Sequence, residues 1–286
     1  MARGCGPPWA RRYTARVKIL LLFVVLLLLL VAAWFAAGKM HPYAYWIGRK
    51  TPADVEALAT DGWRVDRLQV APDVALMGLV RPPRAADARW ILFVPGNSPT
   101  LLDGFRPVLD GLRGDDDTGL AFWAYRGYDA SDGTPDPKVL LADLVQQWRH
   151  LRALGAVPER TEIWGYSLGS VLAVQLVAAL AEQGERPARL VLAAVAERLA
   201  LMPHGLFGRF LGSDVYAMQP ALAAVDCPTV IVHGHDDAAV PVAGARRVAE
   251  ALGARATLHL VPGRGHFDLW DDVRRLAWRP AAVSGR

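Results

Sequence analysis

In this 286-residue sequence, the feature that most clearly indicates catalytic chemistry is a serine flanked by two glycines. Residues 165–169 have the form G-x-S-x-G, with Gly165, Ser167 and Gly169 at the fixed positions, directly after a strand-like run at residues 162–164. In a strand–turn–helix of this kind, a side chain on either glycine would meet neighbouring backbone, and the serine hydroxyl is lifted above the sheet edge. The pattern predicts a nucleophilic serine. The alternative is an ordinary helix N-cap, which needs no glycine pair.

A serine hydroxyl is a poor nucleophile at neutral pH, so the site needs a base and a group that orients the base. His266 follows a glycine-rich stretch after the last expected strand, where ligands gather in open α/β sheets. Asp237 follows the preceding expected strand, and the order Ser167, Asp237, His266 is one of those in which such triads occur. The neighbouring Asp236 could be mistaken for the acid, and Asp214 and Asp268 are weaker candidates.

The region around Asp237 also permits a metal-dependent interpretation. His233, His235 and Asp237 reproduce most of the H-x-H-x-D-H ligand run of metallo-β-lactamase-like enzymes. Ala238 occupies the position of the final histidine, and the sequence has no second histidine cluster to supply further ligands. We therefore expect neither a metal nor another cofactor, and we find no glycine-rich phosphate-binding motif.

A sheet must position these residues, and the chain from residue 64 onward alternates strand-like with helix-like runs. This alternation predicts an α/β fold: a mostly parallel eight-stranded sheet with an opening hairpin and helices on both faces. The expected strands are residues 67–70, 75–80, 90–94, 120–125, 162–165, 189–194, 229–233 and 257–261. The expected helices are residues 101–112, 137–154, 168–182, 242–252 and 267–278.

One segment does not follow the alternation. Residues 197–224 are longer than an ordinary connection between strand and helix, and we interpret them as a small lid. The lid is rich in apolar side chains, which favours a lipid or medium-chain ester as the substrate. These side chains are Leu199, Leu201, Met202, Leu206, Phe207, Phe210 and Leu211.

Basic residues are concentrated at the N-terminus, ahead of a long apolar run. The net charge is +4, whereas residues 1–18 alone carry five basic residues and no acid, so the remainder offers no broad field for nucleic acid. We expect a cytoplasmic tail (1–16), a transmembrane signal anchor (17–37), a juxtamembrane linker (38–63) and an extracytoplasmic main domain (64–286). The alternative is secretion after cleavage of a signal peptide, although signal peptides have shorter apolar regions.

Two longer stretches resemble a known family. Residues 233–241 match H-G-x-x-D-x-x-V-P, and residues 125–135 are similar to Y-R-G-Y-G-x-S-x-G-x-P, with Asp129 in place of a glycine. With the G-x-S-x-G motif, residues 64–278 resemble the α/β-hydrolase superfamily, and within it membrane-anchored serine hydrolases related to the serine aminopeptidase group. The resemblance selects Asp237 as the acid and implies serine-hydrolase chemistry.

The expected oxyanion hole consists of two backbone amides. One is the amide of Leu168, next to the nucleophile, and the other is that of Asn97, in the loop after the third strand. In the branch that the sequence resembles, this loop usually reads His-Gly-Asn, whereas here Pro95 replaces the histidine. The replacement leaves the donors in place because they belong to the backbone.

These features predict a serine hydrolase that cleaves an acyl ester, thioester or amide through an acyl-enzyme on Ser167. His266 would carry the proton and Asp237 would fix the imidazole tautomer. The expected partners are a small-molecule or lipid acyl substrate and the membrane, but not nucleic acid. The main alternative is a non-catalytic α/β-hydrolase module that binds a partner or a lipid, because a fold alone does not establish chemistry.

Overall fold

A computed structural model describes residues 17–18, 20–29, 31, 49–98, 100–113, 117–197 and 217–278. The chain divides into two compact units, Met1–Ala44 and Tyr45–Arg286. In the first unit, the described residues between 17 and 31 are helical. Within the described ranges, no helix combines the length and apolar character needed to span a membrane. Residues 32–37 of the expected anchor lie outside those ranges.

The second unit is built around one eight-stranded sheet. Its strands are β1 (Arg64–Ala71), β2 (Val74–Arg81), β3 (Trp90–Val94), β4 (Gly119–Trp123), β5 (Thr161–Tyr166), β6 (Arg189–Ala193), β7 (Thr229–Gly234) and β8 (Ala256–Val261). Across the sheet they lie in the order β1-β2-β4-β3-β5-β6-β7-β8. β2 is antiparallel to β1 and β4, and the other neighbouring pairs are parallel. The predicted mostly parallel eight-stranded sheet is confirmed.

The second unit also contains helices, of which all but the first and the last connect strands of this sheet. They are α1 (Pro52–Glu56), α2 (Leu102–Arg113), α3 (Pro137–Ala153), α4 (Leu168–Ala181), α5 (Gln219–Leu222), α6 (Val242–Leu252) and α7 (Trp270–Ala277). The five expected helices are present as α2, α3, α4, α6 and α7, whereas α1 and α5 were not expected. The last helix begins at Trp270 rather than at residue 267, because the Asp268 carboxylate accepts a hydrogen bond from the Gly265 amide (2.7 Å) and forms a turn there.

The middle of the sheet is the core of this unit. β3, β4, β5, β6 and β7 are buried along their whole lengths, as expected for parallel strands covered on both faces. α4 is buried around most of its surface and follows β5 after a single residue, Ser167. The turn between β5 and α4 is therefore anchored on both sides by buried elements.

The parallel register brings the carboxyl ends of the site-bearing strands to one edge of the sheet. Val94 at the end of β3 pairs with Gly165 near the end of β5, and Gly234 at the end of β7 pairs with Val261 at the end of β8. Ser167, Asp237, His266 and Asn97 all follow these strand ends. The edge therefore collects the four predicted site segments.

Most of the expected lid, residues 198–216, lies outside the described residues. Its two flanks meet, because the Met218 amide donates a hydrogen bond to the Glu197 carbonyl (3.1 Å). The Glu197 carboxylate also accepts hydrogen bonds from Arg247 on α6 (2.8 and 2.5 Å). These hydrogen bonds hold together the two residues that flank this part of the expected lid, Glu197 and Met218, and tie Glu197 to α6.

Candidate active site

Ser167 lies in a strained turn between β5 and α4. Its φ of 53° falls in the left-handed region, which non-glycine residues adopt only when surrounding contacts hold them there. The Ser167 amide donates to the Ala193 carbonyl (3.0 Å), and its carbonyl accepts from the Ser170 hydroxyl (2.6 Å). The Ser167 side chain makes no capping hydrogen bond to α4. The hydroxyl therefore does not serve as an N-cap.

The two glycines of the motif have the steric role that the sequence predicted. A Cβ on Gly165 would lie 2.4 Å from the Gly169 carbonyl oxygen, and a Cβ on Gly169 would lie 1.9 Å from the Val94 carbonyl oxygen. Both obstacles are backbone atoms of buried strands or helices, which cannot turn aside as a flexible side chain can. The close approach of β5, α4 and β3 behind the serine requires glycine at both positions.

The structure brings together the three side chains expected to form a triad. His266 Nε2 lies 3.1 Å from Ser167 Oγ, and His266 Nδ1 lies 2.7 Å from Asp237 Oδ2. The second carboxylate oxygen, Asp237 Oδ1, accepts the backbone amides of Ala239 (2.9 Å) and Val240 (2.7 Å). The serine, the imidazole and the carboxylate thus form one hydrogen-bonded chain.

The environment of Asp237 favours the charged carboxylate. Burial raises the pKa of this group, but the hydrogen bonds from His266 and the Val240 amide, together with the charges of the His266 and His233 rings, outweigh burial, so the net pKa lies below its usual value. A carboxylate accepts hydrogen bonds only, so Nδ1 of His266 carries the proton. His266 Nε2 is then the acceptor for the Ser167 hydroxyl, which is the arrangement a general base requires.

The other acid candidates make different contacts. Asp236 pairs with His235 Nδ1 (3.0 Å) at the surface. Asp268 accepts the Gly265 amide, as described above, and Asp214 lies outside the described residues. Of the described acids, Asp237 is therefore the one bonded to the His266 ring.

Aromatic contacts hold the His266 loop against the serine turn. The Tyr166 hydroxyl donates to the His266 carbonyl (2.8 Å), and its ring lies 5.3 Å from the His266 ring and 4.7 Å from that of Trp270, centroid to centroid. Burial raises the pKa of Tyr166, so this hydroxyl remains protonated and continues to donate. The residue between Gly165 and Ser167 thus positions the base, a role that the motif leaves unspecified.

Gly234 permits a second close approach at the site. A Cβ on this residue would lie 2.3 Å from the Arg264 carbonyl oxygen and 2.5 Å from that of Gly265. The Asp236 amide donates to the same Arg264 carbonyl (3.0 Å). The loops that carry Asp237 and His266 therefore lie backbone to backbone.

His233 and His235 do not form a ligand set with Asp237. His233 is fully buried; its Nδ1 accepts the Val195 amide (2.9 Å) and its Nε2 lies 3.1 Å from the Val240 carbonyl. Both ring nitrogens are thus engaged with backbone. His235 is exposed. Within the ranges that the structure describes, no cluster of His, Cys, Asp or Glu has the form of a metal site.

The loop after β3 lies directly against the serine turn. A Cβ on Gly96 would be 3.1 Å from the Ser167 Cβ. The Tyr125 hydroxyl donates to the Pro95 carbonyl (2.6 Å), and the Tyr128 hydroxyl donates to Asn97 Oδ1 (2.7 Å). Two buried tyrosines from the segment after β4 therefore hold this loop, in which Pro95 replaces the usual histidine. Leu168, whose amide is the other expected donor, begins α4.

The contacts of Asp129 explain why an aspartate stands where the family pattern has a glycine. Its φ of 48° is in the region where glycine is usual, and its carboxylate accepts the amides of Leu101 (3.1 Å) and Leu102 (2.9 Å) at the start of α2. The side chain thus satisfies amides that open the helix, which glycine cannot do. Nearby, Arg126 binds Asp143 on α3 through two hydrogen bonds (2.6 and 2.7 Å). This segment stabilises the loops around the site.

Comparisons with known proteins agree with this architecture. The lysophosphatidylserine lipase ABHD12 of Danio rerio is 28% identical over 194 residues, which are 57% of this chain and 50% of the relative. The alpha/beta hydrolase domain-containing protein aho-3 of Caenorhabditis elegans is 28% identical over 186 residues, 63% of this chain and 52% of that protein. The chain spans about half the length of the curated relatives it matches.

The same fold occurs in solved structures. An α/β hydrolase from Vibrio vulnificus superposes with a TM-score of 0.64 at 15% sequence identity, over 80% of this chain and 93% of that one. At this level of identity the likeness shows the fold alone. No family model matches the chain.

Proposed function

The chain belongs to the α/β-hydrolase superfamily, and we propose that it is a serine hydrolase that cleaves a carboxyl ester, thioester or amide through an acyl-enzyme. The observation that carries the proposal is the continuous contact from Ser167 Oγ through the His266 imidazole to Asp237, at 3.1 and 2.7 Å. Both distances are within the range for a nucleophile, its base and the group that orients the base.

In the acylation step, Ser167 Oγ attacks the carbonyl carbon and His266 Nε2 accepts the hydroxyl proton. The carbonyl oxygen becomes an oxyanion, to which the amides of Leu168 and Asn97 donate hydrogen bonds. The bond to the leaving group then breaks as His266 donates its proton to that group. Asp237 stabilises the imidazolium that exists between the two proton transfers.

In the deacylation step, His266 takes a proton from water, and the resulting hydroxide attacks the acyl carbon. The bond to Ser167 Oγ breaks, the serine recovers its proton and the carboxylic acid leaves. The same side chains serve both steps, so a change that disturbs His266 slows both. We expect the loss of one oxyanion donor to cost about 3 kcal/mol of transition-state stabilisation.

We propose a lipid-like or medium-chain ester as the substrate class. The name of the Danio rerio relative, a lysophosphatidylserine lipase, supports a lipid substrate, and so does the apolar composition of residues 199–211. We further propose that residues 17–37 anchor the chain in a membrane, with the hydrolase domain on the extracytoplasmic side. A membrane anchor would keep the enzyme close to such a substrate.

Kinetics with a chromogenic ester test the acyl-enzyme. At an enzyme concentration high enough for one equivalent of leaving group to be detected, we expect a burst of leaving group followed by a slower steady state. The Ser167→Ala variant should lose at least about 10⁴-fold in kcat with an unchanged melting temperature. Turnover that persists in this folded variant would rule out Ser167 as the nucleophile, whereas a wild type that hydrolyses no ester, thioester or amide would favour the non-catalytic module.

A further inference from the structure

Phe267 is an exposed aromatic side chain at the candidate active site. Among the described residues of the second unit, the exposed large apolar side chains are Leu154 (41%) and Phe267 (74%). Single exposed apolar residues are common on proteins, so the exposure alone has no functional meaning. What distinguishes Phe267 is its position beside the base.

The segment that carries Phe267 is held on both sides. The His266 carbonyl accepts the Tyr166 hydroxyl (2.8 Å), the Gly265 amide donates to Asp268 (2.7 Å), and Leu269 is fully buried. The loop therefore directs Phe267 outward while its neighbours are fixed.

The exposed ring of Phe267 lies against the imidazole of His266. Its centroid lies 4.9 Å from that of the His266 imidazole, and the two ring planes are almost perpendicular (84°). The same imidazole is 3.1 Å from Ser167 Oγ. A substrate group that lies against this imidazole can therefore also contact the ring of Phe267.

The chemistry of acyl transfer indicates which part of the substrate lies there. During acylation His266 Nε2 donates its proton to the leaving oxygen, so that oxygen must come within about 3 Å of Nε2. The carbon atoms attached to the leaving oxygen are then beside the imidazole. The carbonyl oxygen points instead toward the expected donors, the amides of Leu168 and Asn97. Of the two sides of the substrate, the leaving group beside the imidazole is therefore the one that can contact Phe267.

We propose that Phe267 is a specificity-determining residue that contacts the alcohol part of the substrate and favours esters of apolar alcohols. The contact exists while the scissile C–O bond breaks and His266 protonates the departing alcohol. It ends when the alcohol leaves, so it acts on acylation and not on the attack of water on the acyl-enzyme. This inference rests on the proposed function.

Two ester series separate the two sides of the substrate. One varies the alcohol at constant acetyl group (methyl, butyl and benzyl acetate), and the other varies the acyl group at constant methanol (methyl acetate, butyrate and octanoate). In Phe267→Ala we expect kcat/KM to fall about tenfold for benzyl acetate, which corresponds to about 1.4 kcal/mol, and less than about twofold for methyl acetate. Phe267→Leu should recover most of the loss. Leu154→Ala, which removes the other exposed apolar side chain, should change neither series.

The turnover of a common acetyl-enzyme, formed from p-nitrophenyl acetate, provides the second readout and should be unchanged in Phe267→Ala. An equal fall for every ester together with slower deacylation would mean that Phe267 merely supports His266, and would overturn the proposal. A loss that follows acyl length, or no loss in either series, would also overturn it. Failure of the proposed function is recognised separately, because the wild type would then hydrolyse none of these esters.

Discussion

His233 connects the acid loop to the segment after β6. Its ring bonds to the Val195 amide on one side and lies 3.1 Å from the Val240 carbonyl on the other, while Val240 donates its amide to Asp237. The sequence alone offered His233 as a possible metal ligand, because the spacing H-x-H-x-D cannot distinguish a ligand from a buried backbone partner. The three-dimensional contacts make that distinction.

A pH dependence of stability follows from the burial of His233. Burial lowers the pKa of His233 below the usual value of about 6.5, so the native state takes up a proton less readily than the unfolded chain. The unfolded state then binds more protons, and stability falls as the pH drops below about 6.5. Between about pH 7.5 and about pH 5.5, this group should remove up to about 1.4 kcal/mol from the free energy of unfolding.

Urea denaturation of the wild type and of His233→Gln at both pH values measures this contribution. The glutamine amide retains a donor and an acceptor but does not titrate, so the variant should lose less stability on acidification, whatever its stability at about pH 7.5. Equal losses in the two proteins would contradict the assignment of His233 as a buried neutral group. Both proteins contain the other histidines, so the contribution of those residues to the pH dependence of stability cancels in the comparison.

At the scale of elements, the close packing of α4 against β3 fixes the serine turn. We expect Gly169→Ala to destabilise the protein by at least about 2 kcal/mol, because the added methyl group would meet the Val94 carbonyl oxygen, a backbone atom, at 1.9 Å. Activity should fall as well, because the displaced backbone carries both the serine and the oxyanion loop. Thermal denaturation and ester hydrolysis at low temperature measure the two effects.

Gly111→Ala is the matched control for this prediction. Gly111 lies inside α2, and a Cβ on it would meet nothing within 4 Å. Alanine there should stabilise the protein by about 0.5 to 1 kcal/mol, as in any helix interior. If Gly169→Ala were as well tolerated as Gly111→Ala, the steric explanation of the glycine pair would be wrong.

The elements that sequence patterns predicted well are those with a strong local signal. All eight strands lie within three residues of their expected bounds, because apolar β-rich runs are bounded by glycine, proline and polar turns. The predicted start of α7 was wrong, because a hydrogen bond from the Gly265 amide to the Asp268 side chain forms a turn where the first helical turn was expected. The roles of Tyr125 and Tyr128 also escaped prediction, since their partners are about 30 residues away in sequence.

At the scale of the whole molecule, the chain combines a hydrolase domain with a basic, apolar N-terminus. We expect the full-length protein to remain with membranes after alkaline extraction, with the N-terminus uncleaved. Replacing Leu26 and Leu27 by arginine should release it, because each charge near the centre of a spanning helix costs about 3 kcal/mol. The double replacement by alanine is the control and should leave it bound.

Two outcomes would contradict the membrane anchor. In the first, the wild type is soluble and begins after residue 37, which is the result expected of a cleaved signal peptide. In the second, the arginine variant remains in the membrane fraction to the same extent as the alanine variant. Either result would leave the chemistry of the domain unaffected, because the site residues all lie in the second unit.

Covalent labelling tests the central claim most directly, namely that Ser167, His266 and Asp237 act as one nucleophilic unit. A fluorophosphonate probe should attach stoichiometrically to the peptide that contains Ser167, fail to label Ser167→Ala, and label His266→Ala at least about 10³-fold more slowly. Mass spectrometry of the digested protein locates the adduct. An adduct on another residue, or equal labelling of wild type and Ser167→Ala, would contradict the account.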